Sequence, residues 1–321
     1  MMKKLVIVNP KLIEQMREQI VALAEPEGFE VAFYESNADA LPAMEDAQAA
    51  YGMGADLTRA GKNLEWFHSI TDGIDAYLQE GAIANPEMIL TNARGAFGVT
   101  LAEHTIMVTL EILRRHPEYA KYVARKEWKN GLPQRGIKNS IVTILGTGDL
   151  GSEIAKRIAA FDPQEIIGVN RSGKTDCRFF DRVVKQNKVD EVLGQTDILI
   201  MCLPGTPETC HFIDARRIAL LPGHAAVVNV GRGNAIDTRA LADALREGKL
   251  WAAALDVFEK EPLDPEDPLW DCPDLLITPH IAGFLTLDYT LEKNFEIFLG
   301  NLKNYLDGKP LNQVIDRNRG Y

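Results

Sequence analysis

Residues 141–173 read IVTILGTGDLGSEIAKRIAAFDPQEIIGVNRSG, and this stretch restricts the fold more than any other. The apolar run Ile141–Leu145 leads directly into Gly146, Gly148 and Gly151, spaced G-x-G-x-x-G. Ile154, Ala155, Ile158 and Ala159 follow at helical spacing, and Glu165–Val169 begins a second strand. The pattern predicts one strand–turn–helix–strand unit in which each glycine has its own task. The first makes the tight turn, the second lets a pyrophosphate reach the backbone, and the third packs helix on strand. Pyrophosphate would sit on the helix N-terminus, where unpaired N–H groups and the dipole favour an anion. The unit lies in the middle of the chain, and its second strand ends in Asn170-Arg171-Ser172, where a site for NAD usually carries an acid.

With 321 residues the chain has material for about two domains. Its formal charge of −11, with both signs interspersed, argues against nucleic acid or an anionic membrane as the main partner. Cys177, Cys202, Cys210 and Cys272 show no C-x-x-C and no metal spacing, so no metal site is expected and the reading is reduced thiols in a cytoplasmic protein. The opening MMKKLVIVNP is too short an apolar run for a signal segment and reads as a first strand. No apolar stretch approaches the ~20 residues needed to span a bilayer.

Strand and helix patterns alternate along the chain, as in a parallel sheet covered by helices. Strands are expected at Leu5–Val8, Val31–Tyr34, Ala49–Tyr51, Trp66–Ser69 and Met88–Thr91, with a helix over Lys11–Ala24. A long helix is expected over Thr100–Ala124, opened by the capping-box sequence Thr100-Leu-Ala-Glu103 and apolar on more than one face. Ile198–Leu203, Ala226–Val230, Ala252–Leu255 and Leu275–Thr278 read as buried parallel strands. Asp288–Leu306 reads as the last helix. The fold class is therefore α/β, with two Rossmann-like, doubly wound parallel-sheet domains. A dinucleotide-binding domain over 98–287 would be inserted into a split substrate-binding domain made of 1–97 and 288–321, with the active site in the cleft between them.

Three segments just after strands carry reactive groups: Arg232 in Val228-Asn-Val-Gly-Arg-Gly233, Glu261 in Asp256-Val-Phe-Glu-Lys-Glu-Pro262, and His280 in Thr278-Pro-His-Ile-Ala-Gly283. Singly, each has an ordinary explanation as a loop cation, a solvated acid or a structural histidine. Ligands of open α/β sheets bind at the C-terminal ends of the strands, which would gather all three in one crevice. A cation, a carboxylate and an imidazole together meet the needs of carbonyl reduction by hydride: an anchor, a proton donor and a group that keeps the donor protonated.

These segments, with Thr-Asp-Gly-Ile-Asp at 71–75, Leu-Ala-Glu-His at 101–104 and Cys202-Leu-Pro-Gly-Thr-Pro-Glu-Thr209, make the chain resemble the D-isomer-specific 2-hydroxyacid dehydrogenase family from about Leu5 to Pro310. The resemblance implies that His280 is the general acid at the C2 oxygen, that Glu261 orients it and holds it protonated, and that Arg232 binds the substrate carboxylate and polarises the carbonyl. Backbone N–H groups of Gly73 and Ile74 would take the other side of that carboxylate. Asp256 would bind the nicotinamide carboxamide, and Leu203, Pro204 and Thr209 would border the adenine and ribose. Gly146, Gly148, Asp149, Leu150, Gly151, Asn170, Arg171, Ser172, Val230, Gly231 and Gly283 complete the cofactor set. The family is dimeric through the helix expected at Thr100–Ala124, so a homodimer is implied.

Two departures matter. Asn170, Arg171 and Ser172, with Lys174 nearby, replace the acid that would repel a 2′-phosphate, so the cofactor is read as NADP rather than NAD; Arg171 stacking on adenine while NAD is used is the alternative. Asp72 is unexpected beside an anion site. Tyr51 and Met53 are placed to cover the C2 substituent, with Phe284, Leu285 and Tyr289 on the other side, which suits small or aliphatic 2-keto acids. A second functional hypothesis is a dinucleotide-sensing, co-repressor-like scaffold without turnover.

Overall fold

The structure, a computed structural model, describes residues 2–317. The chain opens with β1 (Lys3–Val8), α1 (Glu14–Ala24), β2 (Phe29–Tyr34), α2 (Asn37–Met44), β3 (Ala49–Gly52), α3 (Ala55–Ala60), β4 (Trp66–Ser69) and β5 (Ile89–Asn92). It continues with α4 (Gly98–Leu113), α5 (His116–Ala124), β6 (Ile141–Leu145), α6 (Asp149–Ile158), β7 (Glu165–Asn170), β8 (Arg182–Lys185), α7 (Asp190–Leu193) and β9 (Ile198–Met201). Then come α8 (Ala215–Ile218), β10 (Ala226–Asn229), α9 (Thr238–Arg246), β11 (Ala252–Leu255), β12 (Leu275–Ile277) and α10 (Asp288–Leu306). Two compact units result: Met1–Phe97 with Leu285–Tyr321, and Gly98–Phe284. The last four residues of the expected 288–321 segment lie outside the described residues.

The first unit has a parallel five-stranded sheet in the order β2-β1-β3-β4-β5. Side chains alternate across it, so each strand feeds two cores. Leu5, Ile7, Tyr51 and Trp66 pack with Met16 and Ile20 of α1 and with Phe295, Phe298 and Leu302 of α10. Val6, Val8, Phe67 and Leu90 pack on the opposite face with Ala40, Met44 and Leu57. The terminal helix thus completes the layer that α1 begins. Asn294 of α10 is buried between Tyr51, whose hydroxyl donates to its Oδ1 at 2.5 Å, and the Ile70 carbonyl, to which its Nδ2 donates at 2.6 Å.

The second unit has a parallel seven-stranded sheet in the order β12-β11-β10-β9-β6-β7-β8, with the winding reversing between β6 and β9. Val142, Ile144, Ile198, Ile200, Val228 and Ala254 face a core closed by α4 and α6. Leu145, Leu199, Met201, Val227 and Leu255 face another, closed by Val192, Ile218 and Leu241 from α7, α8 and α9. Both sheets are doubly wound, as the alternating pattern of the sequence predicts.

Local details differ from expectation. The first helix starts at Glu14 because Asn9 and Pro10 make a turn in which Asn9 Oδ1 accepts the Lys11 N–H at 3.1 Å. The long helix over 100–124 is two helices. Arg115 adopts φ 56° between them and Pro117 falls in the first turn of α5, where its ring would clash with a continuing helix. The first of the two begins at Gly98, so Thr100 and Glu103 lie inside the helix rather than capping it. The edge strand β8 carries only Val183 and Val184 as apolar residues, both half-buried, too little for a periodic signal.

Candidate active site

All strands of the second unit are parallel, so their C-terminal ends share one edge. Taken in sheet order, that edge carries the His280 turn, the Asp256–Glu261 loop, the Arg232 loop, the Leu203 loop, the glycine loop, the Asn170 turn and Lys185. Four strand spacings separate the His280 turn from the glycine loop, roughly 19 Å. The chemistry-bearing segments thus form a row along which an extended ligand can lie.

At one end of the row, His280 has φ 52°, left-handed for a non-glycine residue, and its side chain is 52 % exposed. Its Nδ1 lies 2.6 Å from Glu261 Oε2. The other Glu261 oxygen accepts the Phe258 N–H at 2.9 Å, so the carboxylate is held by its own loop. The turn is anchored from below. His280 N–H donates to the Asp256 carbonyl at 2.8 Å. The Asp256 carboxylate, nearly fully buried, accepts the Thr278 hydroxyl at 2.6 Å and the N–H groups of Ile281 and Ala282 at 3.0 and 3.1 Å. The carboxylate expected at a carboxamide thus also holds the turn that carries His280 and ends at Gly283.

Arg232 sits in a loop pressed between its neighbours. A Cβ on Gly231 would come within 2.7 Å of the Leu203 carbonyl oxygen, and one on Gly233 would overlap the Phe258 backbone. Buried Asn229 shapes the loop, accepting the Gly231 N–H at 3.1 Å and donating to the Arg232 carbonyl at 2.9 Å. Asn229 carried no role in the sequence; its place in Asn229-Val-Gly-Arg-Gly233 was the available signal. Val230 is buried, with its N–H on the Met201 carbonyl at 3.1 Å. Thr209 is also buried. Its hydroxyl accepts the Thr206 N–H at 2.9 Å and donates to the Pro204 carbonyl at 2.6 Å, so it shapes the loop after Leu203.

The glycine loop fits a pyrophosphate. Gly146 has φ 97°, and a Cβ there would meet the Cys202 carbonyl oxygen at 2.8 Å. A Cβ on Gly151 would overlap the Gly146 carbonyl, whereas nothing lies within 4 Å of the corresponding position on Gly148. The outer glycines are thus needed for packing and the middle one faces open space, where Leu150 and the first turn of α6 begin. The Asp149 carboxylate is turned toward Gly98, at the start of α4.

One strand further, the Asn170 side chain builds its own turn. Its Oδ1 accepts the Gly173 N–H at 2.6 Å and the Ser172 hydroxyl at 3.2 Å, and its Nδ2 donates to the Lys174 carbonyl at 2.7 Å. Asn170 and Ser172 therefore shape the loop that presents Arg171. Register places Lys185 opposite Asn170. Arg171, Lys185 and Arg217 line one groove of about 440 Å³ with Phe212. Arg217 lies 4.4 Å from the Phe212 ring and donates to Asp190 at 2.8 Å. Lys185 and Arg217 carried no assignment in the sequence, being 14 and 46 residues from Arg171 and outside any motif.

The substrate-side assignments fare unevenly. Tyr51 is a correction: it is 0 % exposed, its ring stacks on Phe298 at 4.0 Å, and its hydroxyl is bonded to Asn294, so it is core rather than pocket wall. Burial holds its hydroxyl well above the usual phenol range. Met53 is exposed, between β3 and α3. Gly73 and Ile74 follow β4, and the Gly73 carbonyl accepts the Thr71 hydroxyl at 2.9 Å. Asp72 is turned to Asn92, whose Nδ2 donates to its Oδ1 at 3.0 Å and to its carbonyl at 2.7 Å. Phe284 and Tyr289 are exposed, while Leu285 packs on the α1–α10 core.

Among the described residues no helix is long and apolar enough to cross a membrane, no group of His, Cys, Asp and Glu could hold a metal ion, and the four cysteines are unpaired.

Comparison with known proteins agrees with this geometry. A family model described as D-isomer specific 2-hydroxyacid dehydrogenase, NAD binding domain, matches residues 106–282, more than half of the chain. A hydroxyphenylpyruvate reductase of Plectranthus scutellarioides is 33 % identical over 267 residues, covering 81 % of this chain and 81 % of that protein. The structure of a D-isomer specific 2-hydroxyacid dehydrogenase family protein from Aeromonas salmonicida is 32 % identical with a TM-score of 0.86, covering 99 % of this chain and all of the other. That of an NADPH-dependent glyoxylate/hydroxypyruvate reductase from Sinorhizobium meliloti, in complex with NADP and sulfate, is 28 % identical with a TM-score of 0.82 over 99 % of this chain and all of the other. The glycine loop, the row of strand-end residues beside it and these relatives lead to one conclusion: the chain belongs to the D-isomer specific 2-hydroxyacid dehydrogenase family and is an NAD(P)-dependent enzyme.

Proposed function

We propose that the enzyme reduces a small 2-keto acid to the D-2-hydroxy acid with NADPH. The observation that carries the reading is the half-exposed His280 ring fixed 2.6 Å from Glu261 through Nδ1, which leaves Nε2 as the atom that can exchange a proton with a substrate. Bound along the sheet edge, the nicotinamide supplies the hydride. His280 gives its Nε2 proton to the C2 oxygen and takes it back in the reverse direction, a role typically worth ~10²–10⁴ in rate. Glu261 fixes the ring and compensates the charge of the protonated imidazole. Arg232 pairs with the substrate carboxylate and draws charge from the carbonyl. Gly73, Ile74 and Met53 are the first unit's candidates for contact with substrate.

The glycine loop and the first turn of α6 hold the pyrophosphate. Arg171 receives the 2′-phosphate, supported by the absence of a carboxylate at position 170 and by Lys185 and Arg217 in the same groove. The relatives' names point to glyoxylate, hydroxypyruvate and hydroxyphenylpyruvate as substrates to try first. We place a homodimer contact on α4, α5 and the segment after them, where Met107, Val123 and the 98 % exposed Trp128 lie; light scattering of the protein and of Trp128→Ser tests it.

The deciding experiment follows NADPH and NADH oxidation with those three acids, pyruvate and branched 2-keto acids. Turnover that prefers NADPH supports the reading. Tight cofactor binding with no turnover on any of them overturns it in favour of a dinucleotide-sensing scaffold.

A further inference from the structure

His104 projects from α4 beneath the turn that carries His280, and nothing in the proposed reaction uses it. Its side chain is 9 % exposed, and its Nε2 lies 3.2 Å from Thr278 Oγ1 and 3.6 Å from Asp256 Oδ1. The hydrogen-bond directions follow from the inventory of donors. Thr278 has one hydroxyl hydrogen, and it goes to Asp256 Oδ1 at 2.6 Å. Toward His104 the Thr278 oxygen is therefore an acceptor, and His104 Nε2 carries the proton. Burial favours the neutral ring, outweighing the pull of the Asp256 and Glu111 carboxylates, so the ring has a single N–H to place.

The result is a directed chain. His104 Nε2–H donates to Thr278, Thr278 O–H donates to Asp256, and Asp256 accepts the N–H groups of Ile281 and Ala282, the two residues after His280. The turn needs such support because His280 is held at φ 52°, a conformation that a non-glycine residue keeps only when its surroundings impose it. A carboxylate buried beside two N–H groups also needs donors on its remaining lone pairs, and the Thr278 hydroxyl, whose orientation His104 fixes, is such a donor.

We infer that His104 is a positioning residue for the proton donor: through Thr278 it fixes Asp256, and Asp256 fixes the backbone turn that presents His280. The inference rests on the reading of His280 as the acid. It assigns no contact with substrate or cofactor to His104.

The test compares His104→Leu, His104→Gln, Thr278→Val and the His104→Leu/Thr278→Val double variant, with His280→Ala alongside. Steady-state kcat and KM are measured together with NADPH affinity by fluorescence and with the melting temperature. His104→Leu is expected to lower kcat roughly 10-fold through loss of orientation, with NADPH affinity held within about twofold. Glutamine, whose amide N–H reaches the same point as imidazole Nε2, is expected to return kcat to within about threefold of the parent. Thr278→Val should match His104→Leu, and the double variant should be no worse than the poorer single, because both interrupt one chain. Parental kcat in both single variants overturns the inference. So does an equal loss of NADPH affinity, or a glutamine variant no better than leucine, since either marks a purely structural role. If His104→Leu does not fold, the near-isosteric Thr278→Val carries the comparison alone. Retained turnover in His280→Ala would remove the acid assignment itself, a separate outcome.

Discussion

Glu261 Oε2 lies 2.6 Å from His280 Nδ1, while the other oxygen of the same carboxylate accepts the Phe258 N–H at 2.9 Å. The acid is thus oriented by a group that its own loop has already immobilised. His280→Ala is expected to lower kcat by ~10²–10⁴, the usual contribution of a positioned acid, while leaving cofactor affinity unchanged. Glu261→Gln keeps a hydrogen-bonding group but removes the charge that compensates the protonated ring, so its loss should be intermediate. Steady-state kinetics with a separate binding titration check both, and a glutamine variant with parental kcat would show that the charge is dispensable.

Gly233 is fixed by space rather than by its own φ. A methyl group there would overlap the Phe258 backbone, which cannot rotate away, so the Arg232 and Glu261 loops must separate. Gly233→Ala should therefore cost roughly 3 kcal/mol in urea unfolding and most of the turnover. Gly136 has nothing within 4 Å of its Cβ position, so Gly136→Ala should stay within about 0.5 kcal/mol of the parent.

Cofactor preference should be separable from turnover. A charge-assisted contact from Arg171 to a 2′-phosphate is worth about 1.5–3 kcal/mol, so Arg171→Ala should lower kcat/KM for NADPH roughly 10- to 100-fold. NADH, which lacks the phosphate, should lose much less, and equal losses for the two cofactors would refute the assignment. Lys185→Ala should show the same asymmetry in weaker form, since Lys185 lines the same groove.

Stability should fall on the acid side through His68. Burial among Tyr51, Trp66 and Phe298 pushes its pKa down to about 3. The unfolded chain therefore takes up a proton near pH 6.5 that the folded chain refuses until about pH 3, so the contribution is complete above pH 6.5 and is lost as pH falls through that window. The expected slope is roughly 1.4 kcal/mol per pH unit in the middle of the window. Urea midpoints of the parent and of His68→Gln, taken from pH 7 down to about pH 4, should converge as the pH falls. Parallel curves would show that His68 does not carry the dependence.

The covering of the first sheet was only partly legible. The apolar positions of α10 were plain at helical spacing, but the helix's partner was not, since Tyr51 and Asn294 meet across 243 residues. That contact turned a residue expected in the substrate pocket into a core residue. The broken helix was more accessible: Pro117 sits in the sequence and forbids continuous helix, and Arg114-Arg-His-Pro-Glu118 interrupts the apolar pattern that ends at Leu113.

Local chemistry is what the sequence determined by itself. Glycine spacing dictates a tight turn after a strand, short continuous apolar runs dictate parallel strands buried on both faces, and an arginine, a glutamate and a histidine just beyond three strands must share one edge once those strands are parallel. Partners at long range were decided only in the folded chain. That Asp256 clamps the His280 turn, that Tyr51 fills a core rather than lining a pocket, and which cations stand beside Arg171 depend on the residues brought alongside. A motif specifies the backbone and the type of side chain at a position, whereas the neighbour that satisfies a buried polar group is set by packing among segments far apart in sequence.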